Sequence, residues 1–192
     1  MIFNLDVNSA IGYAWAALVA VWLAGLTFTK RTVRSQPTKA RLFYMALVVL
    51  GFTLLSSGWF RVGWLGTRVV PDTRAIALTG LAVTVAGCSF AIWARVTLGG
   101  NWSGRPTVKL GHELVTRGPY ALARHPIYTG ILAAGAGAAL ANGEWHSVLG
   151  VIVLLVAFLV KMGQEEQLMM QTFPVAYPAY RERVKALIPG VF

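Results

Sequence analysis

The chain has 192 residues, 56% hydrophobic and 12% charged, with 17 basic against 7 acidic side chains and a net charge of +10. This balance and a mean hydropathy of +0.61 exclude an ordinary soluble domain and predict an integral membrane protein. The cations lie between apolar runs, so the basic surplus does not indicate nucleic-acid binding. The single cysteine, Cys88, excludes an intrachain disulfide, and the three scattered histidines form no metal-binding pattern.

Five apolar runs predict an all-α, polytopic membrane protein with five transmembrane helices. The first three runs carry no charged residue, and each has about the 20 residues that a helix needs to cross a bilayer. The last two are shorter, and the turn-like Asn142-Gly143-Glu144 joins them as a helical hairpin. The first run is too long for a removable signal segment, so we expect it to be retained. The runs are residues 9–29, 42–60, 75–94, 127–142 and 146–160.

Basic residues concentrate in the first loop, the third loop and the tail after the fifth run. With five spans these regions face one compartment, and the positive-inside rule makes it the cytoplasm. The N-terminus is then outside, most simply of a bacterial inner membrane, and the cations also attract anionic lipid headgroups. The single membrane domain has two parts. Residues 1–74 hold the first two spans, and residues 75–192 form a candidate catalytic region with a cytoplasmic loop at 96–126 and a tail at 161–192.

Two polar clusters lie at the edges of apolar runs. Arg124 and His125 directly precede Pro126, which suits the first turn of a helix and biases the residue before it away from helical conformation. We therefore expect the fourth span to begin at Pro126, with free backbone N–H groups beside Arg124 that favour an anion. Glu165 and Glu166 follow the fifth run, where a carboxylate is costly without a partner.

Ordinary structural roles compete for some of these residues. One of the two glutamates can pair with Lys161 across one helical turn, and the spacing leaves open which of them faces the loop. His146 is expected to be a solvated loop residue on the opposite face of the membrane. Residues 177–183 predict a short amphipathic helix that lies on the membrane surface.

Three motifs follow one another in the second half of the chain: LGGNWSG, then GHELVTRGPYALARHPIYTG, then EEQLMMQTFPVAYPAYRERVKALIP. The specific part is the RHP-x-Y core at residues 124–128, followed one hairpin later by two glutamates, a phenylalanine and two tyrosines. In this order the motifs resemble the isoprenylcysteine carboxyl methyltransferase (ICMT) family and, more distantly, the phospholipid N-methyltransferases. The resemblance covers about residues 97–190, and it departs from the family pattern at Pro174, where glycine is usual.

The resemblance implies a membrane methyltransferase that uses S-adenosylmethionine, releases S-adenosylhomocysteine and methylates a lipophilic acceptor entering from the bilayer, most simply a prenylcysteine-type carboxylate. The donor carries a carboxylate, an ammonium and a sulfonium, which require a cation, an anion and an aromatic wall. Donor-binding roles fall on His112, Glu113, Leu114, Val115, Gly118, Tyr120, Arg124, His125, Pro126, Tyr128, Glu165 and Glu166. Catalytic roles fall on Arg124, Glu165, Glu166 and Arg183, with Arg183 or Arg181 as candidates to hold the acceptor carboxylate.

Other functions compete with this prediction. A phospholipid or a small amine or thiol as acceptor would require a proton acceptor, for which Glu165, Glu166 or His125 are candidates. NADPH-dependent sterol-type reductases look similar around the RHP-x-Y core, but those chains are longer and have more spans. A non-enzymatic lipid-binding protein would leave the charged cluster unexplained.

Overall fold

The computed structural model describes residues 6–27, 32–35, 38–102, 107–109 and 113–191, with only the backbone described at 32–35, 38–40 and 107–109. Among the sequence-predicted site residues, His112 lies outside these ranges. The described residues contain six α-helices. They are α1 (Val7–Leu26), α2 (Thr38–Ser56), α3 (Arg74–Leu98), α4 (Pro126–Asn142), α5 (Trp145–Thr172) and α6 (Ala176–Arg183).

Each of the five predicted apolar runs lies largely within one of the first five helices. Within the described part of the chain, three helices are long and apolar enough to cross a membrane: α1, α3 with its continuation to Asn101, and α5. The apolar part of α2, Arg41–Ser56, is shorter. The chain is therefore a helical integral membrane protein, and the full count of five spans stays a prediction.

Two features at one end of the bundle were not predicted. The fifth helix continues without a break to Thr172, so Glu165 and Glu166 lie inside a helix of 28 residues. Two short strands, β1 (Thr32–Ser35) and β2 (Thr107–Lys109), pair antiparallel. This ribbon joins the first loop to the third, which agrees with the prediction that both loops face one compartment.

Small residues let α3 and α4 pack closely. Gly80 faces the backbone of Gly137, and Gly87 faces the backbone of Gly130 and Ala134. Because lipid supplies no hydrophobic force between helices, such contacts and the buried hydrogen bonds between helices hold a membrane bundle together. The small residues of α4 therefore serve close packing against α3.

Replacement of Gly87 by alanine is expected to lower the free energy of unfolding by about 1–3 kcal/mol, because the new methyl group meets backbone atoms of α4 that cannot move aside cheaply. Thermal unfolding in detergent measures the effect. The matched control is Gly12→Ala in α1, where a new methyl group meets nothing within 4 Å. Equal stability of the two variants would contradict this packing.

The prediction of a solvated His146 is wrong, since His146 is 1% exposed. Its Nδ1 lies 2.7 Å from the carbonyl oxygen of Leu54, and its Nε2 lies 2.7 Å from the Glu144 carboxylate. Arg61 Nε donates to the same carboxylate at 2.8 Å. The last carbonyl groups of a helix need hydrogen-bond donors from outside the helix. Here the α4–α5 hairpin supplies such a donor, His146, to the carbonyl group of Leu54 near the end of α2. The sequence does not show that these two segments meet.

Candidate functional site

The site lies where the start of α4, the second half of α5 and the tail after α6 come together. As predicted, α4 begins at Pro126, with His125 in the capping position and Arg124 just outside the helix. The α4–α5 hairpin returns Glu165 and Glu166 to these residues. The geometry therefore assembles the RHP-x-Y core and the paired glutamates into one cluster.

The backbone N–H groups of Arg124 and His125, just before the helix, are bound by the tail, so the predicted anion site at the start of α4 has only the N–H groups of the helix itself and stays a prediction. Arg124 N donates to the carbonyl oxygen of Lys185 at 2.8 Å, and His125 N donates to that of Ala186 at 2.9 Å. Thr129 Oγ1 donates to the carbonyl oxygen of Leu187 at 2.8 Å. The tail thus docks along the start of α4 and occupies the two N–H groups just before it.

Glu166 is tightly bound by Arg124. Nε and Nη2 of Arg124 donate to Glu166 Oε1 at 3.0 and 2.7 Å, and both side chains are largely buried. The remaining Arg124 nitrogen, Nη1, donates to the carbonyl oxygens of Arg181 and Val184. One guanidinium therefore fixes both the carboxylate and the tail. The second oxygen of Glu166, Oε2, has a looser partner in Arg181 Nε at 3.5 Å.

Glu165 points to a different set of partners. The hydroxyl group of Tyr128 donates to both oxygens of Glu165, at 2.8 and 2.9 Å. Lys161 Nζ lies 3.8 Å from Glu165 Oε1, which confirms the predicted pair across one turn. His125 stands between the two glutamates, with Nδ1 3.6 Å from Glu165 and Nε2 3.2 Å from Glu166.

A cleft of about 410 Å³ opens beside Glu166, within the size range of small-molecule sites. Both charged and apolar residues line the cleft. The charged ones are Arg124, Glu166, Arg181 and Lys185. The others are Leu159, Met162, Gly163, Ala186 and Val191. Such a cleft can hold a molecule that carries charges of both signs next to an apolar group.

Three buried tyrosines support the cluster. Burial, together with the charge of Glu165, raises the pKa of Tyr120, and burial with the charge of Glu166 raises the pKa of Tyr177. Burial raises the pKa of Tyr180 to about 12, against an opposing effect of Arg124. The hydroxyl group of Tyr180 donates to the carbonyl oxygen of Tyr120. All three side chains are therefore neutral near pH 7 and act as hydrogen-bonding supports.

The other sequence-predicted site residues lie around the cluster to different degrees. Val115 packs against the apolar core that contains Tyr120 and Tyr128, whereas Glu113 is exposed. Gly118 has φ of +60°, which favours glycine, at the start of the short turn that carries Tyr120. Leu114 is half-buried, and Pro126 is buried. Arg183 is exposed, and its Nε donates to the carbonyl oxygen of Ala179, so the fold does not bring it to the cluster.

Sequence reasoning missed two residues beside the site. Tyr44 comes from α2 and is 2% exposed, with Lys161 Nζ 5.6 Å from the centre of its ring. Lys185 lines the cleft. A tyrosine in an apolar run and a lysine in a basic tail carry no signal that separates them from their neighbours, so only the fold identifies them.

The fold and the cluster define a helical membrane protein with a charged, tyrosine-supported site at one end of its bundle. A sequence model of the isoprenylcysteine carboxyl methyltransferase (ICMT) family matches residues 79–171. The family resemblance predicted from the motifs is thereby confirmed, over a segment that runs from α3 into the last turn of α5.

One curated relative is the cobalt-zinc-cadmium resistance protein CzcN of Cupriavidus metallidurans. It is 28% identical over 148 residues, which cover 74% of this chain and 61% of the relative. The chain thus matches about three fifths of the length of that protein.

Proposed function

We propose that this chain is a membrane methyltransferase that uses S-adenosylmethionine to methylate a lipophilic acceptor, most simply a prenylcysteine-type carboxylate. The observation that carries the proposal is the cleft beside Glu166, which is lined by cations, a carboxylate and apolar side chains. The family match, which indicates a membrane methyltransferase, supports the same assignment.

The charged residues of the cleft suit the amino-acid part of the methyl donor. Glu166 Oε2 is the freer oxygen of its carboxylate and would accept from the donor ammonium group. Arg181 and Lys185 would face the donor carboxylate, because both are cations at the cleft and neither is held as firmly as Arg124. When bound, the donor supplies a methyl group activated by its sulfonium charge.

The proposed acceptor enters along the apolar side chains of the cleft. Leu159 and Val191 are exposed, so an apolar chain could reach the charged side chains of the cleft from surrounding lipid. A carboxylate acceptor is already ionised at neutral pH and needs no general base. The protein then has to align the reacting groups and exclude water, for which a cleft at the edge of the bilayer is suitable.

An amine acceptor remains the second candidate and would require a proton acceptor. Glu165, Glu166 and His125 are the nearest candidates, and each already makes hydrogen bonds or ion pairs with its neighbours. This engagement favours an acceptor that brings its own negative charge.

The name of CzcN refers to metal resistance. Among the described residues no group of three or more His, Cys, Asp or Glu side chains is arranged to hold a metal ion, so we make no proposal of metal binding.

Purified protein in bilayers, given S-adenosylmethionine with a labelled methyl group and a prenylcysteine analogue, is expected to transfer label into a lipid-extractable product. A methyl ester releases labelled methanol in alkali, whereas a methylated amine or thiol does not. An otherwise identical analogue with a carboxamide in place of the carboxylate is the matched control. Label that stays in the lipid after alkali treatment would favour the amine or thiol acceptor. If the protein oxidises NADPH in a parallel assay and transfers no methyl group, the proposal is contradicted.

The proposed orientation places the cluster in the cytoplasm and the N-terminus outside, most simply in a bacterial inner membrane. The basic first loop, third loop and tail support it, and the β1–β2 ribbon joins two of these segments.

A further inference from the structure

A second polar network lies behind the cleft, on the side of α5 that carries Glu165. Its centre is Lys161, a cation with a side chain only 13% exposed on an apolar helix. The Lys161 ammonium group lies 5.3 Å from the centre of the Tyr128 ring and 5.6 Å from that of Tyr44. Two aromatic faces and one carboxylate thus surround this charge, an arrangement that holds an ammonium group in one place.

Tyr44 contributes to this network from the first half of the chain. It lies on α2, and it is outside the segment that matches the ICMT family model. The other members, Lys161, Tyr128 and Glu165, lie inside that segment. Tyr44 therefore gives α2 a direct part in holding the charged residues of α5.

The network reaches the cleft through His125. The His125 ring is stacked on Tyr128, with 11° between the ring planes, and Tyr128 is stacked on Phe158 in turn. The stacking fixes the imidazole so that one nitrogen faces Glu165 and the other faces Glu166. A continuous set of contacts therefore runs from Lys161 to Glu165, then to His125 and finally to Glu166 at the cleft.

We propose that Lys161, held in place by Tyr44, is a positioning residue for the donor site and acts through Glu165. Lys161 balances the charge of Glu165, and Glu165 keeps the His125 ring oriented toward Glu166. This inference rests on the proposed function, because it assigns Lys161 to the same site that binds the donor. Without Lys161, a carboxylate that is mostly shielded from water loses its lysine partner, and its contacts with Tyr128 and His125 rearrange.

Equilibrium binding of S-adenosylhomocysteine to the full chain in detergent tests this role. Lys161→Met is expected to weaken binding about tenfold, and Lys161→Arg, which keeps the cation, is expected to restore most of the affinity. Tyr44→Leu is expected to weaken binding several-fold, and Tyr44→Phe, which keeps the aromatic face, is expected to restore most of the affinity. The conservative variants serve as matched controls for folding.

A double-mutant cycle separates positioning from a merely structural role. If Lys161 acts through Glu165, the Lys161→Met change adds little to the loss already caused by Glu165→Gln. If the losses of affinity in the two single variants add up in the double variant, or if Lys161→Met binds as tightly as the wild-type protein, the inference is overturned while the proposed function stands. Absence of binding by the wild-type protein would overturn the proposed function and this inference together.

Discussion

Replacement of Arg124 by alanine is expected to lower the free energy of unfolding by about 3–5 kcal/mol, because it leaves the mostly buried Glu166 carboxylate without its main cation. The same change removes the donors to the carbonyl oxygens of Arg181 and Val184, so the tail loses contacts with the start of α4. Denaturant or thermal unfolding in detergent measures the stability, and limited proteolysis of the tail measures its release.

Arg124→Lys distinguishes charge from geometry at this position. A lysine keeps the positive charge but cannot donate to one carboxylate through two nitrogens and to two carbonyl groups at once. We therefore expect an intermediate loss of stability in this variant. The exposed Arg117 is the matched control, and Arg117→Ala should change stability by less than about 0.5 kcal/mol. Equal behaviour of the Arg124 and Arg117 alanine variants would mean that the Arg124–Glu166 pair does not hold the tail.

Replacement of Glu166 by glutamine is expected to weaken binding of S-adenosylhomocysteine by about 10- to 100-fold. The substitution keeps the shape of the side chain but removes the charge that would face the ligand ammonium group, and hydrogen bonds to charged groups contribute about 1.5–3 kcal/mol. It also leaves the Arg124 guanidinium without a carboxylate partner, so some loss of stability accompanies the loss of affinity. Isothermal titration measures the affinity.

The control for this variant is Glu182→Gln on α6, which removes an equal charge from an exposed position. Its affinity should equal that of the wild-type protein. If Glu166→Gln binds the ligand as tightly as Glu182→Gln does, the cleft beside Glu166 is not the donor site.

Local chemistry explains which parts of this site could be predicted from the sequence. Pro126 determines where α4 starts through its own backbone restriction, and the Asn142-Gly143-Glu144 turn determines the hairpin that returns the glutamates. The Lys161–Glu165 pair follows from helical spacing alone. Each of these predictions depends on residues close to one another in the chain.

The remaining features depend on which distant segments meet. His146 is buried because the end of α2 packs against the hairpin, and no local pattern in the sequence encodes that contact. The tail occupies the N–H groups of Arg124 and His125 just before α4, another contact that no local pattern in the sequence encodes. Tyr44 joins the network behind the cleft from a separate helix. The helical spacing of Glu165 and Glu166 left open which of them faces the site. In the structure Glu166 lines the cleft, whereas Glu165 accepts a hydrogen bond from Tyr128 behind it.

Titration of the purified wild-type chain with S-adenosylhomocysteine, and in parallel with NADPH, tests the central claim most directly. The account predicts saturable binding of S-adenosylhomocysteine that is weakened by Glu166→Gln and unaffected by Glu182→Gln, with no binding of NADPH. Binding of NADPH without binding of S-adenosylhomocysteine would contradict it.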